Sequence, residues 1–354
     1  MKKGYLVLQD GRVFEGIRFG AEGDTVGELV FTTGMCGYIE TLTDPAYAGQ
    51  IVMQTYPLIG NYGIIQEDVE RKCQVKGYVV REWCESPSNF RMDGDLDAFL
   101  KEEGVPGLWG VDTRELTRII REHGVMNAVI CDQVPQDLSV LETYAITDAV
   151  AAATCREPAV FQAEGEERFR VSLLDYGASQ GLVPALRERG CTVTVLPADT
   201  AAEDILAAKP QGVVLSNGAG DPAENVFQIQ QIQKLLGKVP LFGVCLGHQL
   251  LALADGGKTY KLKYGHRGAN QPVRDLEGVR TYITTQNHGY AVDADTLRQG
   301  KLRFVNINDG TCEGIDYPQL RAFSVQFHPV LGSGSQDAMI LFDRFVDLMK
   351  GGEQ

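Results

Sequence analysis

The stretch that decides the fold of the second half of the chain is 241–257, "LFGVCLGHQLLALADGG". Its first four residues are apolar or small and predict a short buried strand. After the cysteine, Leu246, Leu250 and Leu253 recur at the spacing of one helix face. The stretch therefore predicts a strand, a sharp turn at Cys245 and then a helix.

The same strand–helix rhythm extends outward from this stretch and begins at Phe169. Such alternation is typical of an α/β fold with a doubly wound, mostly parallel sheet that has helices on both faces. Ligands in these folds bind beyond the carboxyl ends of the strands. The predicted strands are "RVSLLDYG" (170–177), "CTVTVLP" (191–197), "GVVLSNG" (212–218) and "VPLFGV" (239–244), and the predicted helices are "GLVPALRERG" (181–190), "AEDILAAK" (202–209) and "VFQIQQIQKLLGK" (226–238).

Residues 1–150 are predicted to form a separate, mixed α/β domain. Its best-defined element is a helix at 111–124, "VDTRELTRIIREHG", which Asp112 can cap. Residues 151–168 have no sustained apolar period and end in acidic residues, so we expect an exposed linker there. Residues 169–354 then form the α/β domain.

The bulk composition limits the function classes. The chain has 354 residues, 44% hydrophobic and 23% charged, which fits a soluble globular protein of two domains. A formal net charge of −14 argues against nucleic-acid binding, because phosphate neutralisation needs clustered Lys and Arg. No apolar run approaches a membrane span and no signal peptide is evident, so we expect a cytoplasmic protein. The eight cysteines include no CxxC pair, so we expect no metal site.

The glycine-flanked cysteine is a candidate nucleophile. Residues 243–247 read G-x-C-x-G, the cysteine form of a nucleophile elbow, in which glycines prevent clashes in a tight strand-to-helix turn. The turn would expose the sulfur of Cys245 at a helix N-terminus, where backbone N–H groups favour a thiolate. The N–H of Leu246 would face the position where an oxyanion forms. The alternative is a buried cysteine in a glycine-rich turn.

The loop "LSNGAGDP" (215–222) is a second candidate element at a strand end. Gly218 and Gly220 can adopt positive φ and present backbone N–H groups to an anionic or carbonyl oxygen. The alternative is a plain tight turn that binds no ligand.

His328 is the candidate general base, because it follows the apolar segment 324–327 at a predicted strand end. A cysteine hydrolase needs a base near the sulfur, and that base can be distant in sequence. The alternative is a core histidine. The other histidines are His123 in the N-terminal helix, His248 in the elbow helix, His266 in a polar loop and His288, which could also approach the site.

Together these segments resemble one family, the small, glutamine-hydrolysing subunit of carbamoyl-phosphate synthase. The resemblance covers nearly the whole chain. The elbow is shared by class I glutamine amidotransferases in general, whereas the N-terminal segments are specific to this subunit. The segments that carry the resemblance are "TLTDPAYAGQIVMQTYPLIGNYG" (41–63), "GVDTRELTRIIREHG" (110–124), "LSNGAGDP" (215–222), "FGVCLGHQLLALA" (242–254), "YGHRGANQPV" (264–273), "QNHGYAVD" (286–293) and "SVQFHP" (324–329).

The resemblance implies a mechanism. Cys245 would attack the side-chain amide of L-glutamine, form a γ-glutamyl thioester and release ammonia. His328 would accept the thiol proton and donate one to the leaving ammonia, and water would then release glutamate. By the matching motif positions, the residues that hold the glutamine would be Gly218, Gly220, Leu246, Gln249, Asn287, Gly289 and Tyr290.

The resemblance also implies a partner. Ammonia would pass through a tunnel to a large synthetase subunit, which makes carbamoyl phosphate from bicarbonate and ATP with Mg²⁺. This chain lacks an ATP-binding motif, so we expect it to bind no cofactor itself and to act in a heterodimer. Whether the product serves pyrimidine or arginine biosynthesis stays open.

The chain departs from the family pattern beside its candidate base. The family has H-P-E, whose glutamate orients the histidine, but this chain has His328-Pro329-Val330. Loss of the orienting acid lowers kcat by about 10⁴ in a serine protease triad, whereas a cysteine depends less on its helpers. We therefore expect impaired hydrolysis, unless Asp337 or Glu313 replaces the acid.

Other departures from the family pattern lie elsewhere in the sequence. They are Ala46 for a glutamine-contacting serine, Ala219 for a proline, Ser179 and Gly181 for lysine and asparagine, and "LGSGS" (331–335) for a segment with prolines.

Three functions compete. The first is a glutamine-hydrolysing subunit that uses Cys245 and His328 as a dyad. The second is a catalytically impaired structural or regulatory subunit of a synthetase fed by free ammonia, which Val330 and Ala46 favour. The third is an unrelated cysteine hydrolase or peptidase, against which the N-terminal segments argue. A Rossmann dehydrogenase is excluded, because no predicted strand leads into G-x-G-x-x-G at the start of a helix.

Overall fold

The computed structural model describes residues 2–330 and 336–351. The chain forms two compact units, Met1–Thr147 and Asp148–Gln354. Buried hydrophobic clusters lie within each unit. Each unit therefore has a core of its own.

The first unit is a closed β-barrel with accompanying helices. Its elements are β1 (Lys3–Leu8), β2 (Val13–Gly20), β3 (Thr25–Thr32), α1 (Tyr38–Thr43), β4 (Gln50–Gln54), β5 (Leu58–Ile59), β6 (Gly77–Val80), β7 (Glu82–Trp83), α2 (Leu96–Glu102), β8 (Pro106–Trp109), α3 (Thr113–His123), β9 (Met126–Cys131) and α4 (Ser139–Thr143). The barrel closes in the order β1-β2-β8-β6-β4-β3-β9, and β5 pairs with β7. Ile39 of α1 and Leu100 of α2 pack with Val52 and Tyr78 of the barrel in one buried cluster.

The helix predicted at 111–124 is confirmed as α3. The carboxylate of Asp112 accepts a hydrogen bond from the N–H of Glu115 at 3.0 Å and so caps the helix. Gly124 ends it with a φ of 97°, a conformation that favours glycine. Local sequence signals were sufficient to place this helix.

The second unit is built around one long, twisted sheet. Its elements are α5 (Ala149–Ala153), β10 (Ala159–Phe161), β11 (Phe169–Asp175), α6 (Leu182–Arg187), β12 (Cys191–Pro197), α7 (Ala202–Ala207), β13 (Gly212–Leu215), α8 (Val226–Leu235), β14 (Leu241–Val244), α9 (Leu246–Ala254), β15 (Lys258–Asp275), β16 (Thr281–Asp293), β17 (Lys301–Asn306), β18 (Cys312–Tyr317), β19 (Ala322–Val325) and α10 (Ile340–Lys350). The sheet order is β10-β12-β11-β13-β14-β19-β18-β16-β15-β17.

The predicted doubly wound arrangement is confirmed in the middle of this sheet. Strands β12, β11, β13, β14 and β19 pair in parallel. Phe242 and Leu241 are neighbours on β14 and belong to clusters on opposite faces. Leu186 of α6 and Phe342 of α10 pack with Phe242, whereas Ile232 of α8 packs with Leu241. Helices therefore cover both faces.

The antiparallel part of the sheet was not anticipated from the sequence. Strands β15 to β18 pair antiparallel, and β15 contains irregularities near Lys261 and Gly268 that shift its register. These shifts break the period-2 pattern, because each one moves later side chains to the other face. The prediction that His266 lies in a polar loop is therefore wrong: it is a buried residue of β15.

The segment expected to be an exposed linker, 151–168, lies in the second unit. It includes the end of α5 and the whole of β10, which pairs antiparallel with β12 at the edge of the sheet. The side chains of Ala159, Val160 and Phe161 are exposed. An edge strand with no buried face gives no alternating apolar pattern, so periodicity could not reveal it.

Three strand ends meet at the centre of this sheet. Val244 of β14 pairs with Val325 of β19, and Gly243 pairs with Leu215 of β13. The carboxyl ends of parallel neighbours lie at the same edge of a sheet. The residues that follow β13, β14 and β19 are therefore brought together.

Candidate active site

Cys245 lies in a sharp turn between β14 and α9. Its backbone has φ 52° and ψ −104°, a strained conformation for a residue with a side chain. Its N–H donates to the carbonyl of Val325 at 2.8 Å. A Cβ at Gly243 would lie 2.7 Å from the carbonyl oxygen of Gly247, and a Cβ at Gly247 would overlap the carbonyl of Leu215. The two flanking glycines are therefore required by close backbone approach.

The sulfur of Cys245 is buried among polar groups of the sheet edge. Its thiol donates to the carbonyl oxygen of Asn287 at 3.6 Å, and the carboxamide Nε2 of Gln326 donates to the sulfur at 3.6 Å. Cys245 itself is 2% exposed. The position at the start of α9 adds the partial positive charge of a helix N-terminus, which favours a thiolate.

His328 lies three residues beyond the end of β19. Its backbone N–H donates to the carbonyl of Thr285 at 2.9 Å, which anchors this segment to β16. The side chain is buried. Cys245 and His328 thus follow adjacent paired strands, β14 and β19, and both lie at the same edge of the sheet.

The loop after β13 approaches the elbow closely. A Cβ at Gly218 would overlap the carbonyl of Tyr176 and lie 2.8 Å from Cδ2 of Leu246. Gly220 has a φ of 89°, the left-handed region that favours glycine. Leu246 opens α9, so its N–H is one of the first-turn amides that have no acceptor within the helix. The loop and the helix start therefore offer backbone donors from two sides.

The remaining residues predicted to hold a substrate lie on α9 and β16. Gln249 donates from Nε2 to the carbonyl of Tyr290 at 2.8 Å and to Oε1 of Gln326 at 2.9 Å. Asn287 contacts the sulfur of Cys245 through its carbonyl, as described above. Gly289 lies between Asn287 and Tyr290 on β16. The structure thus brings Gln249, Asn287 and Tyr290 to the same sheet edge as Cys245.

A largely buried polar cluster, the His266 cluster, joins β15, β16 and β18. His266 donates from Nε2 to Asp309 at 2.8 Å, and the amide oxygen of Gln286 lies 3.1 Å from Nδ1 of His266 and 3.0 Å from Nε2 of His288. The amide nitrogen of Gln286 donates to Glu313 at 2.9 Å. Burial opposes the protonation of His266, but its bonds to Asp309 and Glu313 outweigh burial and raise its pKa to about 9. The cluster therefore contains an ion pair.

The same cluster has the chemical groups of a metal site. The ligand atoms of His266, His288 and Glu313 lie within 4.8 Å of one another. The amide oxygen of Gln286 lies between the two imidazoles, so a metal ion would have to displace it. We therefore interpret the cluster as a hydrogen-bonded framework for β15, β16 and β18.

The helices give no sign of a membrane span. Among residues 2–330 and 336–351, none of the helices has both the length and the apolar character needed to cross a bilayer.

Comparisons with known proteins assign both units. The family model for the carbamoyl-phosphate synthase small chain, CPSase domain, matches residues 6–130, and the model for glutamine amidotransferase class-I matches residues 172–348. The carbamoyl phosphate synthase small chain of Oceanobacillus iheyensis is 47% identical over 99% of this chain and 97% of that protein. The chain belongs to the carbamoyl phosphate synthase small chain family.

Two further relatives have the same name. The small chain of Syntrophotalea carbinolica is 46% identical over 99% of both chains, and that of Listeria monocytogenes serotype 4b is 45% identical over 100% of this chain and 99% of that protein. A solved glutamine amidotransferase from Thermotoga maritima is 21% identical and covers 53% of this chain and 87% of that chain, with a TM-score of 0.40.

Two departures from the family pattern lie in contact with each other. Val330 is half-buried and packs against the hydrophobic cluster that contains Phe327 and Leu182. A methyl group at Gly181 would overlap Cγ1 of Val330. A side chain at position 181 would therefore require Val330 to move. The departure at 331–335 lies outside the described residues.

The two carboxylates considered as replacements for the triad acid lie on β18 and in the turn before α10. Glu313 is fully buried and accepts hydrogen bonds from Gln286 and Asn306 at 2.9 and 3.2 Å. Burial raises its pKa, although its bonds to His266, Asn306 and Gln286 oppose this. Asp337 lies in the short 3-10 turn Asp337–Met339 that precedes α10. Glu313 thus belongs to the His266 cluster.

One residue of the site was missed in the sequence analysis. Gln326 is fully buried and contacts both the sulfur of Cys245 and the amide of Gln249. It lies one residue beyond β19 and two before His328. A polar residue at the end of an apolar strand was the available signal.

Proposed function

We propose that this chain hydrolyses L-glutamine at Cys245 and supplies the ammonia to a large synthetase subunit. The observation that carries the proposal is the strained elbow, which holds the sulfur of Cys245 at the start of α9 and on the same sheet edge as His328. The family of the chain, with its glutamine amidotransferase domain, supports glutamine as the substrate.

The chemistry follows from the groups at this edge. The imidazole of His328 takes the thiol proton of Cys245, and the sulfur attacks the carbonyl carbon of the glutamine side-chain amide. The oxyanion of the tetrahedral intermediate accepts hydrogen bonds from backbone N–H groups, of which that of Leu246 is the first candidate. His328 returns the proton to the leaving ammonia, and water then hydrolyses the thioester to glutamate.

The substrate contacts are proposed from the same geometry. Gly218 and Gly220 would present backbone donors, and Gln249, Asn287, Gly289 and Tyr290 would complete the pocket from α9 and β16. The close approach of Gly218 to Leu246 supports a shared pocket for the two.

The partner and the cofactors are part of the proposal. We propose that the large subunit binds ATP, bicarbonate and Mg²⁺ and makes carbamoyl phosphate, while this chain binds no cofactor itself. The relatives are named small chains, which supports a pairing with a larger subunit. A cytoplasmic location fits these substrates.

A second function is favoured by the contact between Val330 and Gly181. Val330 occupies the position of the family's orienting glutamate. Gly181, which it contacts, occupies a position where the family has asparagine. On this proposal the chain is a catalytically impaired structural or regulatory subunit of a synthetase fed by free ammonia.

One experiment separates the two functions. Glutamate release from glutamine is measured for this chain with its large partner, bicarbonate and ATP, and Cys245→Ser is the blank. Release above the blank is expected for an amidotransferase that works with a Cys–His dyad. Release equal to the blank, together with carbamoyl phosphate synthesis from ammonia, would establish the structural subunit instead.

A further inference from the structure

We propose that Gln326 is a catalytic residue whose side-chain N–H stabilises the thiolate of Cys245. Its carboxamide nitrogen lies 3.6 Å from the sulfur and is a donor to it. Gln326 is fully buried, so water does not compete for this contact. The inference rests on the proposed function, because it assigns a role within the same thiol chemistry.

The orientation of the Gln326 amide is fixed by its neighbours. The amide nitrogen of Gln249 donates both to the carbonyl of Tyr290 and to Oε1 of Gln326. Because a carboxamide nitrogen can only donate, the oxygen of Gln326 must face Gln249 and its nitrogen must face the sulfur. The backbone N–H of Gln326 donates to the carbonyl of Glu313 at 2.9 Å and holds the residue in place. The donor is thus preorganised before any substrate binds.

The donor matters because of the charges that form in the reaction. When the thiol proton moves from Cys245 to His328, a thiolate and an imidazolium form together. The family's glutamate would stabilise the imidazolium, and this chain has valine at that position, 330. Donation from Gln326 stabilises the other half of the pair, since hydrogen bonds to an ionised partner are stronger than neutral ones. Gln326 therefore supports the ion pair from the sulfur side.

The test measures the thiol directly and does not depend on glutaminase activity. The rate at which iodoacetamide, a neutral reagent, alkylates Cys245 is followed from pH 5 to pH 10 in the full chain bound to its partner, with the Cys245 peptide quantified by mass spectrometry. Gln326→Met keeps the length of the side chain and removes the donor. We expect alkylation at pH 7 to fall about tenfold, as expected for one lost hydrogen bond to a charged group, and the profile to move to higher pH.

Two further variants control the result. Gln231→Met removes another buried amide of the second unit, one that accepts from the N–H of Ala202 on a different face of the fold, and should leave the alkylation rate unchanged. Gln326→Glu keeps the acceptor for Gln249 but loses the donor to the sulfur, so its rate must fall as well. It decides the matter if Gln326→Met does not fold.

The outcomes separate the inference from the proposed function. A wild-type alkylation rate in a folded Gln326 variant overturns the role of Gln326, whatever the glutaminase activity. A wild-type chain that alkylates normally but releases no glutamate overturns the proposed function and leaves the inference about the thiolate standing. If both hold, Gln326→Met should lower kcat more than it raises KM for glutamine, because its contact is with the sulfur.

Discussion

The two halves of the candidate site are held in different ways. On the sulfur side, Cys245 is fixed by a strained backbone, by two glycines at which a Cβ would force the backbone to move, and by hydrogen bonds at 2.8 Å and 3.6 Å. On the base side, the backbone N–H of His328 donates to Thr285, and Val330, two residues further on, packs against Gly181. The described contacts of the nucleophile are thus set by backbone geometry, whereas those beside the base include side-chain packing that a substitution can alter.

The largest expected effect comes from the elbow. Gly247→Ala places a methyl group against the carbonyl of Leu215, so the backbone must move and carry Cys245 with it. Displacement of a reacting group by about 1 Å can cost about 10²-fold, so we expect glutaminase kcat to fall at least that far. The measurement is glutamate release by the complex with its large partner.

A matched glycine controls for the substitution itself. Gly94→Ala adds the same methyl group where nothing lies within 4 Å, and it should leave kcat unchanged. If Gly247→Ala retained wild-type kcat, the elbow would not be the element that positions the nucleophile.

The next effect tests the packing behind His328. Gly181→Ala should push Val330 and the attached His328 segment out of place, because its methyl group overlaps Cγ1 of Val330. Overpacking of this kind costs about 1–3 kcal/mol, and we expect a loss of about tenfold in kcat. Val330→Ala in the same chain should restore the rate, because alanine frees the space.

This double substitution is a direct test of coupling. Two residues in contact show a non-additive free energy, whereas independent residues add. Equal effects of Gly181→Ala in the wild-type and Val330→Ala backgrounds would show that the two positions do not control His328 together.

A smaller effect is expected when the carboxylate returns. Val330→Glu should raise kcat several-fold. An acid at this position can orient His328 and stabilise its imidazolium, as the carboxylate of a catalytic triad does. Val330→Gln has the same shape without the charge and should give no increase. An unchanged rate in Val330→Glu would mean that the site has been remodelled beyond one residue, as the contact with Gly181 would allow.

The contrast between the halves also explains how far sequence reasoning reached. The elbow was predictable because the glycine spacing and the apolar strand are local signals, and α3 was predictable from Asp112 and Gly124 for the same reason. The contact between Gly181 and Val330 was not, because it joins residues that are far apart in sequence and only the fold brings them together. Glycine and valine also have no polar group that would indicate a contact partner.

Buried polar residues on or beside irregular strands were also not predictable from the sequence pattern. His266 was assigned to a loop because the register shifts in β15 remove its alternating pattern. Gln326 was overlooked because an amide at a strand end has no distinctive spacing, and its role appears only from the positions of Cys245 and Gln249. The family resemblance supplied the residues that periodicity could not.

The smallest expected effect concerns the His266 cluster, whose contribution to stability should depend on pH. The pKa of His266 is about 9 in the folded chain, above its ordinary value of 6.5. For Asp309, burial would raise the pKa, but the bonds from His266 and Thr311 lower it to about 2 from 3.8. A raised histidine stabilises the fold fully below about pH 6.5 and loses this contribution as the pH rises through about 9. A lowered carboxylate contributes above about pH 4 and loses its contribution as the pH falls through about 2.

Asp309→Asn should therefore lower the Tm most between about pH 4 and pH 6.5, and the difference from wild type should shrink towards pH 9. Because Asp309 is 42% exposed, solvent screens the pair and the change should be a few degrees at most. Asp199→Asn, at an exposed carboxylate before α7, is the control and should show no such window. A constant difference across the whole range would mean that the ion pair with His266 contributes nothing to stability. The His266 cluster would then be held by the hydrogen bonds of Gln286 and Glu313.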